Sequence, residues 1–337
     1  MRPPTSPNER DGGTTAALWE EVPDCGACGS GRHCFAGAID GRRFAVCLDC
    51  GVERLYDRVA ESRLDLLYGN YYAASDPSPA ALERQLANPT FALRRRRLED
   101  VLGNRARRIL EIGCGDGNFL ATLRRTGWDA QGQEFSADTS AIVTRRHQIA
   151  MITGPLESVS PERPFPVVAA YHVFEHIYHP ASWLEQVRQL VEPQGLLHLQ
   201  VPNGASLTRR ISGEVWSGLV FPQHVYFYEP RTLQRLLTRS GFSVLATATW
   251  DPWHGRGAVA SSVANVANRV LSGRRPWNDR VLERAQPGAH ASSAAPARRS
   301  PPKVLLRGGL DAVSAGLARI EAAAGRGAVV DIIARRA

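Results

Sequence analysis

Short apolar runs alternate with amphipathic stretches between Ala106 and Trp250. The apolar runs are RRILEIG, WDAQGQE, VVAAYHV, LLHLQVP and FSVLATATW, and the amphipathic stretches predict helices that begin at Asn118, Ala137, Ala181 and Arg231. Strands that alternate with helices along a chain form a mostly parallel sheet with helices on both faces. The pattern therefore predicts a doubly wound α/β domain, which we place at residues 101–250.

The segments around this domain show other patterns. Residues 1–20 are rich in Pro, Thr, Gly and charge without periodicity, which predicts a disordered tail. Over residues 59–100 apolar positions recur at helical spacings around the turn-like SDPSP, which predicts a helical connector. Residues 251–326 lose the rhythm and are expected to form an insertion, partly disordered and partly helical. The apolar run that follows predicts a final strand of the sheet at 327–337.

Composition and charge narrow the function classes only a little. The chain has 337 residues, 43% of them hydrophobic, which fits roughly two globular domains. The net charge is +8, but the basic residues are almost all arginines scattered among alanines. Arginines scattered in this way do not mark a binding surface, so a nucleic-acid partner is not expected. Arg94–Arg97 is predicted to be a solvated helix face. The positive net charge leaves a phosphate-bearing acceptor as one alternative.

The chain contains no signal for a membrane or an export pathway. No apolar run approaches the roughly 20 residues of a membrane helix. The N-terminal MRPPTSPNERDGG has no apolar stretch of the kind found in signal peptides. We therefore expect a cytoplasmic protein without a membrane span, and no pattern predicts its oligomeric state.

Two CxxC pairs lie between residues 21 and 58. Residues 29–46 separate the pairs, a spacing typical of a four-cysteine zinc site. Four thiolates leave zinc no open position, so we expect a structural zinc ribbon. His33 and Cys34 lie between the pairs as less apt alternative ligands. The predicted zinc ligands are Cys25, Cys28, Cys47 and Cys50.

A glycine-rich loop follows the first strand of the α/β domain. In ILEIGCGDGNF the strand ends near Glu111, and glycines let the backbone pass close to a ligand at the carboxyl edge of the sheet. A dinucleotide fingerprint would need a third glycine where Asn118 stands, which disfavours a nicotinamide-dependent oxidoreductase. The three glycines of the loop are Gly113, Gly115 and Gly117.

This loop resembles the first motif of class I S-adenosylmethionine-dependent methyltransferases, an acidic residue followed by GxGxG. The resemblance implies a Rossmann-like methyltransferase sheet, here preceded by a small zinc ribbon, with S-adenosylmethionine bound by Glu111 and the three glycines. It further implies that Glu134 accepts both ribose hydroxyls and that Phe135 packs on adenine.

Two further segments resemble cofactor-binding parts of the same family. In TGPLES, Pro155 stands where the family often has an acidic residue for the adenine amino group. The implied contact is then the backbone of Leu156 or, in a shifted register, the side chain of Glu157. In LLYGNYYA, Tyr72 is similar to the tyrosine that covers the methionine end of the cofactor. The alternative is a purely structural role, in which Tyr72 packs the helical connector against the core.

The segment AYHVFEHIYHP resembles the HVxEH segment of a methyltransferase subgroup that includes sugar-modifying and natural-product enzymes. HVFEH also fits an inverted zinc-protease motif, but that motif needs a long helix, whereas His172 directly follows an apolar strand. Methyl transfer to oxygen or nitrogen needs a base, and histidine is the natural base near neutral pH. The candidate bases are His172, His176 and His224, the last in a segment with Tyr226 and Tyr228 that resembles the subgroup's acceptor loop.

The sequence therefore predicts an S-adenosylmethionine-dependent methyltransferase. The expected acceptor is a small molecule, a saccharide or a secondary metabolite, with O-methylation favoured over C-methylation. The alternative is a nucleic-acid or protein-binding module in which the zinc ribbon and the arginines act and the cofactor fold is a scaffold.

Overall fold

Short antiparallel strands form the N-terminal part of the chain. The structure, a computed structural model, describes residues 18–68, 77–160, 162–272, 316 and 318–337. The first strands are β1 (Trp19–Glu21), β2 (His33–Ile39), β3 (Arg42–Cys47), β4 (Glu53–Leu55) and β5 (Asp57–Val59). β2, β3 and β4 pair antiparallel in that order, and β1 pairs with β5.

A larger sheet forms the centre of the α/β region. The later strands are β6 (Arg108–Ile112), β7 (Asp129–Glu134), β8 (Ala150–Thr153), β9 (Phe165–Tyr171), β10 (Val191–Pro202), β11 (Tyr226–Phe227), β12 (Phe242–Ala248) and β13 (Val329–Arg336). Seven of them follow the spatial order β12-β13-β10-β9-β6-β7-β8. β8, β7, β6, β9 and β10 run parallel, whereas β13 is antiparallel to β10 and β12. The predicted doubly wound, mostly parallel sheet is confirmed.

The burial of each strand follows its place in the sheet. Every residue of β9 is buried, because helices cover both faces of this central strand. β8 lies at the edge, where both of its terminal residues are exposed. Its four residues, AMIT, are too few and too mixed to stand out in the hydrophobic pattern, although the family resemblance implies a third strand before TGPLES.

Helices cover the sheet, and four of them begin within one residue of the four predicted starts. The helices are α1 (Asp65–Tyr68), α2 (Pro79–Leu86), α3 (Pro89–Leu102), α4 (Asn118–Arg124), α5 (Ala137–His147), α6 (Pro180–Leu190), α7 (Leu207–Ser212), α8 (Pro230–Arg239) and α9 (Pro252–Ser272). The four with predicted starts are α4, α5, α6 and α8. The Ser136 side chain caps α5 by accepting from the N–H of Thr139. Proline opens α6 and α8, where its missing N–H costs no intrahelical hydrogen bond.

The N-terminal strands join the α/β region through a shared sheet. β11 pairs antiparallel with β4, so a strand from the α/β region completes the order β11-β4-β3-β2. The Tyr178 hydroxyl donates to the carbonyl of Val59 at 2.8 Å, and the Arg58 guanidinium lies 4.0 Å from the centre of the Tyr178 ring. The cysteine-bearing segment is therefore docked on the α/β region by hydrogen bonds and packing.

The basic run on α3 differs from the predicted solvated face. Arg94 is buried, and its guanidinium lies 3.8 Å from the centre of the Tyr171 ring. Arg97 forms a 2.9 Å ion pair with the buried Asp331 of β13. The prediction was wrong for these two arginines because it followed their charge, whereas partners from distant strands allow Arg94 to lie on the buried face of α3 with Leu98.

Some predicted features lie outside the described residues. These are residues 1–17 of the predicted tail, Tyr72, and residues 273–315 of the predicted insertion. α9 begins that insertion, and the Asn265 side chain anchors it by donating to the carbonyl of Val215 at 3.0 Å. Within the described ranges, no helix combines the length and apolar character needed to cross a membrane.

Candidate active site

A cleft of about 1490 Å³ opens at the carboxyl ends of β6, β7 and β9. Ligands of parallel α/β sheets bind at this edge, because the strand ends and helix N-termini meet there. The loops after these strands line one side of the cleft, and the N-terminal segment around Cys25 lines the other. The predicted cofactor loop and the cysteine-bearing segment therefore face the same space.

Glycines shape the loop after β6. Gly113 has a φ of +63°, and a Cβ at this position would lie 2.6 Å from Cγ2 of Val173. Gly117 precedes α4 with a φ of +70°, and a Cβ there would lie 2.6 Å from Cγ1 of Val143. Side chains are excluded at both positions by backbone conformation and by space. A ligand can therefore approach the loop backbone closely.

Glu134 ends β7 with its carboxylate turned toward this loop. Its Oε2 accepts from the N–H of Gly115 at 3.0 Å, and its Oε1 accepts from the N–H of Phe135 at 2.9 Å. A carboxylate offers about four acceptor positions, so acceptor capacity remains for two ribose hydroxyls. Phe135 is 71% exposed and lines the cleft together with Leu156, as packing on an adenine requires. The residues thus fit the nucleoside part of the cofactor.

Glu111 lies beneath the loop and does not line the cleft. It is buried in β6, and its Oε2 has no hydrogen-bond partner. Burial raises the pKa of Glu111 to about 8, although the nearby Arg94 opposes the shift. Gly115 and Gly117 also lie behind the cleft surface, whereas Gly113 is part of it.

The candidate histidines gather around Glu175, and all four residues line the cleft. His172 Nδ1 lies 3.4 Å from Glu175 Oε1, and His224 Nε2 lies 3.9 Å from the same oxygen. The rings of His176 and His224 meet edge to face with their centres 4.6 Å apart. The fold therefore brings His224 from the loop before β11 to the two histidines that follow β9.

Hydrogen bonds fix the tautomers of two of these histidines. His224 Nδ1 lies 2.9 Å from the carbonyl oxygen of Gly218, and His176 Nδ1 lies 3.0 Å from that of Gln223. A carbonyl oxygen only accepts, so both Nδ1 atoms carry a proton and donate. Burial lowers the pKa of both histidines and of His172, which keeps the rings neutral near pH 7. Nε2 of His176 and of His224 is therefore unprotonated.

Gln200 fixes the tautomer of His172. The Gln200 Oε1 accepts from the Arg94 guanidinium, and its Nε2 donates to Asp331 at 2.8 Å, which sets the orientation of the amide. His172 Nε2 lies 3.2 Å from the accepting Oε1 and must therefore donate. The unprotonated nitrogen of His172 is Nδ1, the atom that faces Glu175.

A second pair of a carboxylate and a histidine, Asp251 and His254, adjoins this cluster, and the sequence analysis did not predict it. Asp251 Oδ2 lies 2.7 Å from His254 Nδ1, and the His254 ring lies against the His172 ring at 4.1 Å between centres. Asp251 Oδ1 also accepts from the Thr90 hydroxyl and from the N–H groups of Trp253 and His254. The sequence signal was the N-cap pattern DPWH, which we placed in an insertion instead of at the site.

The tyrosines of the predicted acceptor loop face away from the cleft. Tyr226 and Tyr228 are buried and stack with their ring centres 5.7 Å apart, and Phe174 stacks on Tyr228 at 4.9 Å. Tyr226 belongs to β11, which pairs with the N-terminal sheet. His224 reaches the cleft, whereas the two tyrosines pack the N-terminal sheet on the core.

The four predicted zinc ligands converge at two turns of the N-terminal segment. The Sγ atoms of Cys25 and Cys50 lie 3.7 Å apart, those of Cys28 and Cys47 lie 3.5 Å apart, and all four lie within 4.8 Å of one another. A tetrahedral zinc ion with Zn–S distances of about 2.3 Å separates its sulfur ligands by about 3.8 Å. The thiols are therefore arranged as a four-coordinate zinc site requires.

The residues between the two cysteine pairs do not join this cluster. Cys34 is exposed, and His33 Nδ1 lies 2.9 Å from the carbonyl oxygen of Gly31. The hydrogen bond between Cys25 and Cys50 lowers the pKa of Cys25 and raises that of Cys50, so Cys25 is the first of the two to ionise. A thiolate, the form that binds metal, is thus available at neutral pH.

Solved methyltransferase structures resemble this chain weakly. An S-adenosylmethionine-dependent methyltransferase from Archaeoglobus fulgidus is 18% identical, with a TM-score of 0.44 over 80% of this chain and 98% of that one. A possible histamine N-methyltransferase from Thermotoga maritima is 15% identical, with a TM-score of 0.45 over 82% of this chain and 99% of that one. TM-scores below 0.5 do not place the chain in a family, so its family follows from sequence similarity.

Curated relatives are more similar in sequence. The ubiquinone biosynthesis O-methyltransferase of Cereibacter sphaeroides is 27% identical over 181 residues, which are 49% of this chain and 70% of that protein. The enzyme of the same name from Azorhizobium caulinodans is 28% identical over 170 residues, which are 46% of this chain and 66% of that protein. The similarity thus spans about two thirds of each relative and half of this chain.

A family model described as a methyltransferase domain matches residues 72–247. This span holds the glycine loop, Glu134 and the three candidate histidines, whereas the cysteine cluster precedes it. It amounts to 176 of the 337 residues, more than half of the chain. The chain therefore belongs to this methyltransferase-domain family, and it is an S-adenosylmethionine-dependent methyltransferase.

Proposed function

We propose that this enzyme methylates a hydroxyl oxygen of a small-molecule acceptor, a saccharide or a secondary metabolite, with carbon methylation as the second choice. The observation that carries the proposal is the set of neutral histidines that share one cleft with Gly113 and Glu134. The relatives named O-methyltransferases support oxygen as the atom methylated.

Residues at the ends of β6 and β7 hold the cofactor in this proposal. The backbone at Gly113 approaches the cofactor, Glu134 accepts from its ribose hydroxyls, and Phe135 packs on adenine opposite Leu156. Glu111, Gly115 and Gly117 act from behind by shaping the loop. Tyr72 stays a prediction for the methionine end. S-adenosylmethionine supplies an electrophilic methyl group, so these residues mainly align it with the acceptor oxygen.

His224 is our first candidate for the base. Its Nδ1 proton is held by the carbonyl of Gly218, so the unprotonated Nε2 can accept the proton that the acceptor hydroxyl loses as its oxygen gains the methyl group. His176 offers Nε2 in the same way, and His172 offers Nδ1. His224 is favoured because it sits in the segment that resembles the acceptor loop of the subgroup.

We also propose that Cys25, Cys28, Cys47 and Cys50 bind a structural zinc ion. Four thiolates fill its coordination, so the ion would hold the fold of the segment and take no part in the reaction. Gly26, between the first two cysteines, accepts from the N–H of Ala181 at the start of α6. Zinc would thereby fix one wall of the cleft.

Calorimetric titration with S-adenosylmethionine and S-adenosylhomocysteine tests the cofactor site. We expect micromolar affinity for both and at least a tenfold loss in Glu134→Ala, because the ribose hydroxyls lose their acceptor. Asp129→Asn is the matched control, since Asp129 is the exposed residue at the other end of β7. Equal affinity in Glu134→Ala and the wild type would refute the assigned role of Glu134.

Acceptor screening by mass spectrometry tests the proposed reaction. Incubation with S-adenosylmethionine and panels of sugars, phenols and polyketides should yield products heavier by one methyl group, with the new methyl on oxygen. Products methylated on nitrogen, or transfer only to nucleic acid or protein, would contradict the proposed acceptor class.

A further inference from the structure

The side chain of Glu175 is buried beside imidazole nitrogens that donate no hydrogen bond to it. Glu175 is 1% exposed, and neither of its carboxyl oxygens has a hydrogen-bond partner. Buried carboxylates in folded proteins are normally paired or bound to a metal. Glu175 has neither kind of partner among the described residues, so its burial suggests that a ligand binds at this position.

The histidines around Glu175 turn lone pairs toward the cluster. The tautomers described above leave His172 Nδ1, His176 Nε2 and His224 Nε2 unprotonated, because each other ring nitrogen donates to an acceptor outside the cluster. His172 Nδ1 and His224 Nε2 approach Glu175 Oε1 at 3.4 and 3.9 Å. Burial raises the pKa of Glu175 to about 7, so near neutral pH a proton on this carboxyl or a bound cation can lie between these acceptor atoms.

The spacing of these atoms suits one ion. Glu175, His176 and His224 each offer a ligand atom within 4.8 Å of the others. Two ligands about 2.1 Å from the same ion lie about 3–4.2 Å apart, so a small side-chain movement closes the set. The hydrogen bonds from Nδ1 of His176 and His224 to backbone carbonyls are those that commonly orient metal-bound histidines.

The neighbouring group of His172, Asp251 and His254 is a weaker candidate. Its ligand atoms are also within 4.8 Å of one another. However, Asp251 already accepts from a hydroxyl, two N–H groups and the His254 ring. A carboxylate whose acceptor positions are filled gains less from a cation than Glu175, which has none filled.

We propose that Glu175, His176 and His224 bind a divalent transition-metal ion at the cleft. Two imidazoles and a carboxylate favour ions such as zinc, iron or cobalt over magnesium or calcium. The three residues leave coordination positions open toward the cleft, where an acceptor oxygen can bind.

The catalytic use of the ion rests on the proposed function. In the metal-loaded enzyme His224 is a ligand, and the acceptor hydroxyl binds the ion, which makes its proton more acidic. That proton passes to a water molecule in the cleft, and the oxygen is held for methylation. An ion at this site would restrict acceptors to those that present an oxygen ligand, such as a phenol or a vicinal diol.

Titration with Co²⁺ tests the site in the full chain, purified with one equivalent of zinc. We expect one further equivalent of Co²⁺ with visible d–d absorption but no thiolate charge-transfer band, since the cysteines already hold zinc. Glu175→Gln should weaken this binding at least tenfold. His179→Ala is the matched control, because His179 lines the same cleft but pairs with Glu61.

The outcomes separate this site from the cofactor site. Absence of Co²⁺ binding, binding only with thiolate bands, or equal affinity in Glu175→Gln would overturn the ion proposal. S-adenosylhomocysteine titrated into the same variant shows whether its cleft is intact, and if it is not, His224→Asn is tested in its place. S-adenosylhomocysteine binding without Co²⁺ binding refutes the ion site alone, whereas Co²⁺ binding without S-adenosylhomocysteine binding refutes the cofactor assignment alone.

Discussion

The cysteine cluster, through Cys25, and the Glu175 cluster border the same cleft, but they are built in opposite ways. The four cysteines come from two turns within one short segment, and their thiols face one another with no position left open. The Glu175 cluster joins residues after β9 to His224 from the loop before β11, and it opens to the cleft. The first is suited to hold structure and the second to hold a ligand.

This difference shows which interactions fix the side-chain positions in each cluster. At the cysteine cluster local turns set the geometry, so the ligands need only each other. At the Glu175 cluster the geometry depends on hydrogen bonds to Gly218, Gln223 and Gln200, which orient the three rings. Substitutions in the first should therefore affect stability, and substitutions in the second should affect ligands and turnover.

The largest effect should come from Cys47→Ser. Loss of one ligand should release zinc and unfold the N-terminal sheet, and a loss of several kcal/mol corresponds to a fall in Tm of roughly 10 °C or more. Elemental analysis and differential scanning calorimetry measure both changes. Cys34→Ser, at an exposed cysteine outside the cluster, should retain zinc and Tm. Retention of zinc in Cys47→Ser would show that the four cysteines do not form a structural zinc site.

Glu111→Gln tests what burial alone does to a carboxyl. Glu111 is buried like Glu175, but among the described residues it has no imidazoles around it that could help to bind a metal ion. Its pKa of about 8, raised from an ordinary 4.5, means that the folded protein binds this proton more tightly. The stabilising contribution is complete below pH 4.5 and is lost as the pH rises to about 8. At 1.36 kcal/mol per pKa unit, the variant should gain up to roughly 5 kcal/mol relative to wild type above pH 8.

Urea unfolding at acidic and alkaline pH measures this gain for Glu111→Gln. The difference between variant and wild type should grow from acidic to alkaline pH and should not respond to Co²⁺. A difference that is the same at both pH values would show that the Glu111 carboxyl does not titrate as described.

His224→Ala should lower turnover at least tenfold, about 1.4 kcal/mol in the barrier, with little change in S-adenosylhomocysteine affinity. The reason is that His224 acts on the acceptor side of the cleft, either as a base or as a metal ligand. Initial rates and calorimetry measure the two quantities, with His179→Ala as the control. Unchanged turnover would remove His224 from the reaction.

The smallest effect should come from Phe135→Ala at the exposed rim of the cleft. Loss of packing on adenine, about 0.5–1 kcal/mol, should weaken S-adenosylhomocysteine binding roughly two- to fivefold. The urea midpoint should not change, because the side chain is 71% exposed. A large loss of stability would mean that Phe135 supports the fold instead of the ligand.

Sequence reasoning succeeded where the signal is local. The turn glycines at 113 and 117, the strand run of β9 and the paired CxxC turns each depend on residues close along the chain. The four predicted helix starts lie within one residue of the observed ones, and a side-chain cap or a proline marks three of them. These features therefore follow from short-range physical rules.

Long-range partners could not be predicted in the same way. Arg94 shares the helical spacing of the buried Leu98 and Leu102, but its charge suggested a solvated surface. It can be buried because Tyr171 and Gln200 lie beside it in the folded sheet. Asp251 and His254 follow the last strand of the predicted domain, and their position against His172 depends on how α9 packs. Both errors arise because a single sequence does not reveal which distant residues meet.

The position of β13 has a consequence for how the chain is made. β13 lies between β10 and β12, although residues 249–328 separate it from β12 along the chain. At a synthesis rate of about 5–20 residues per second, β12 leaves the ribosome about 4–16 s before the strand that joins it to the sheet. During that interval the edge of β10 is open to pairing with other nascent chains, so slower translation of this region should favour aggregation.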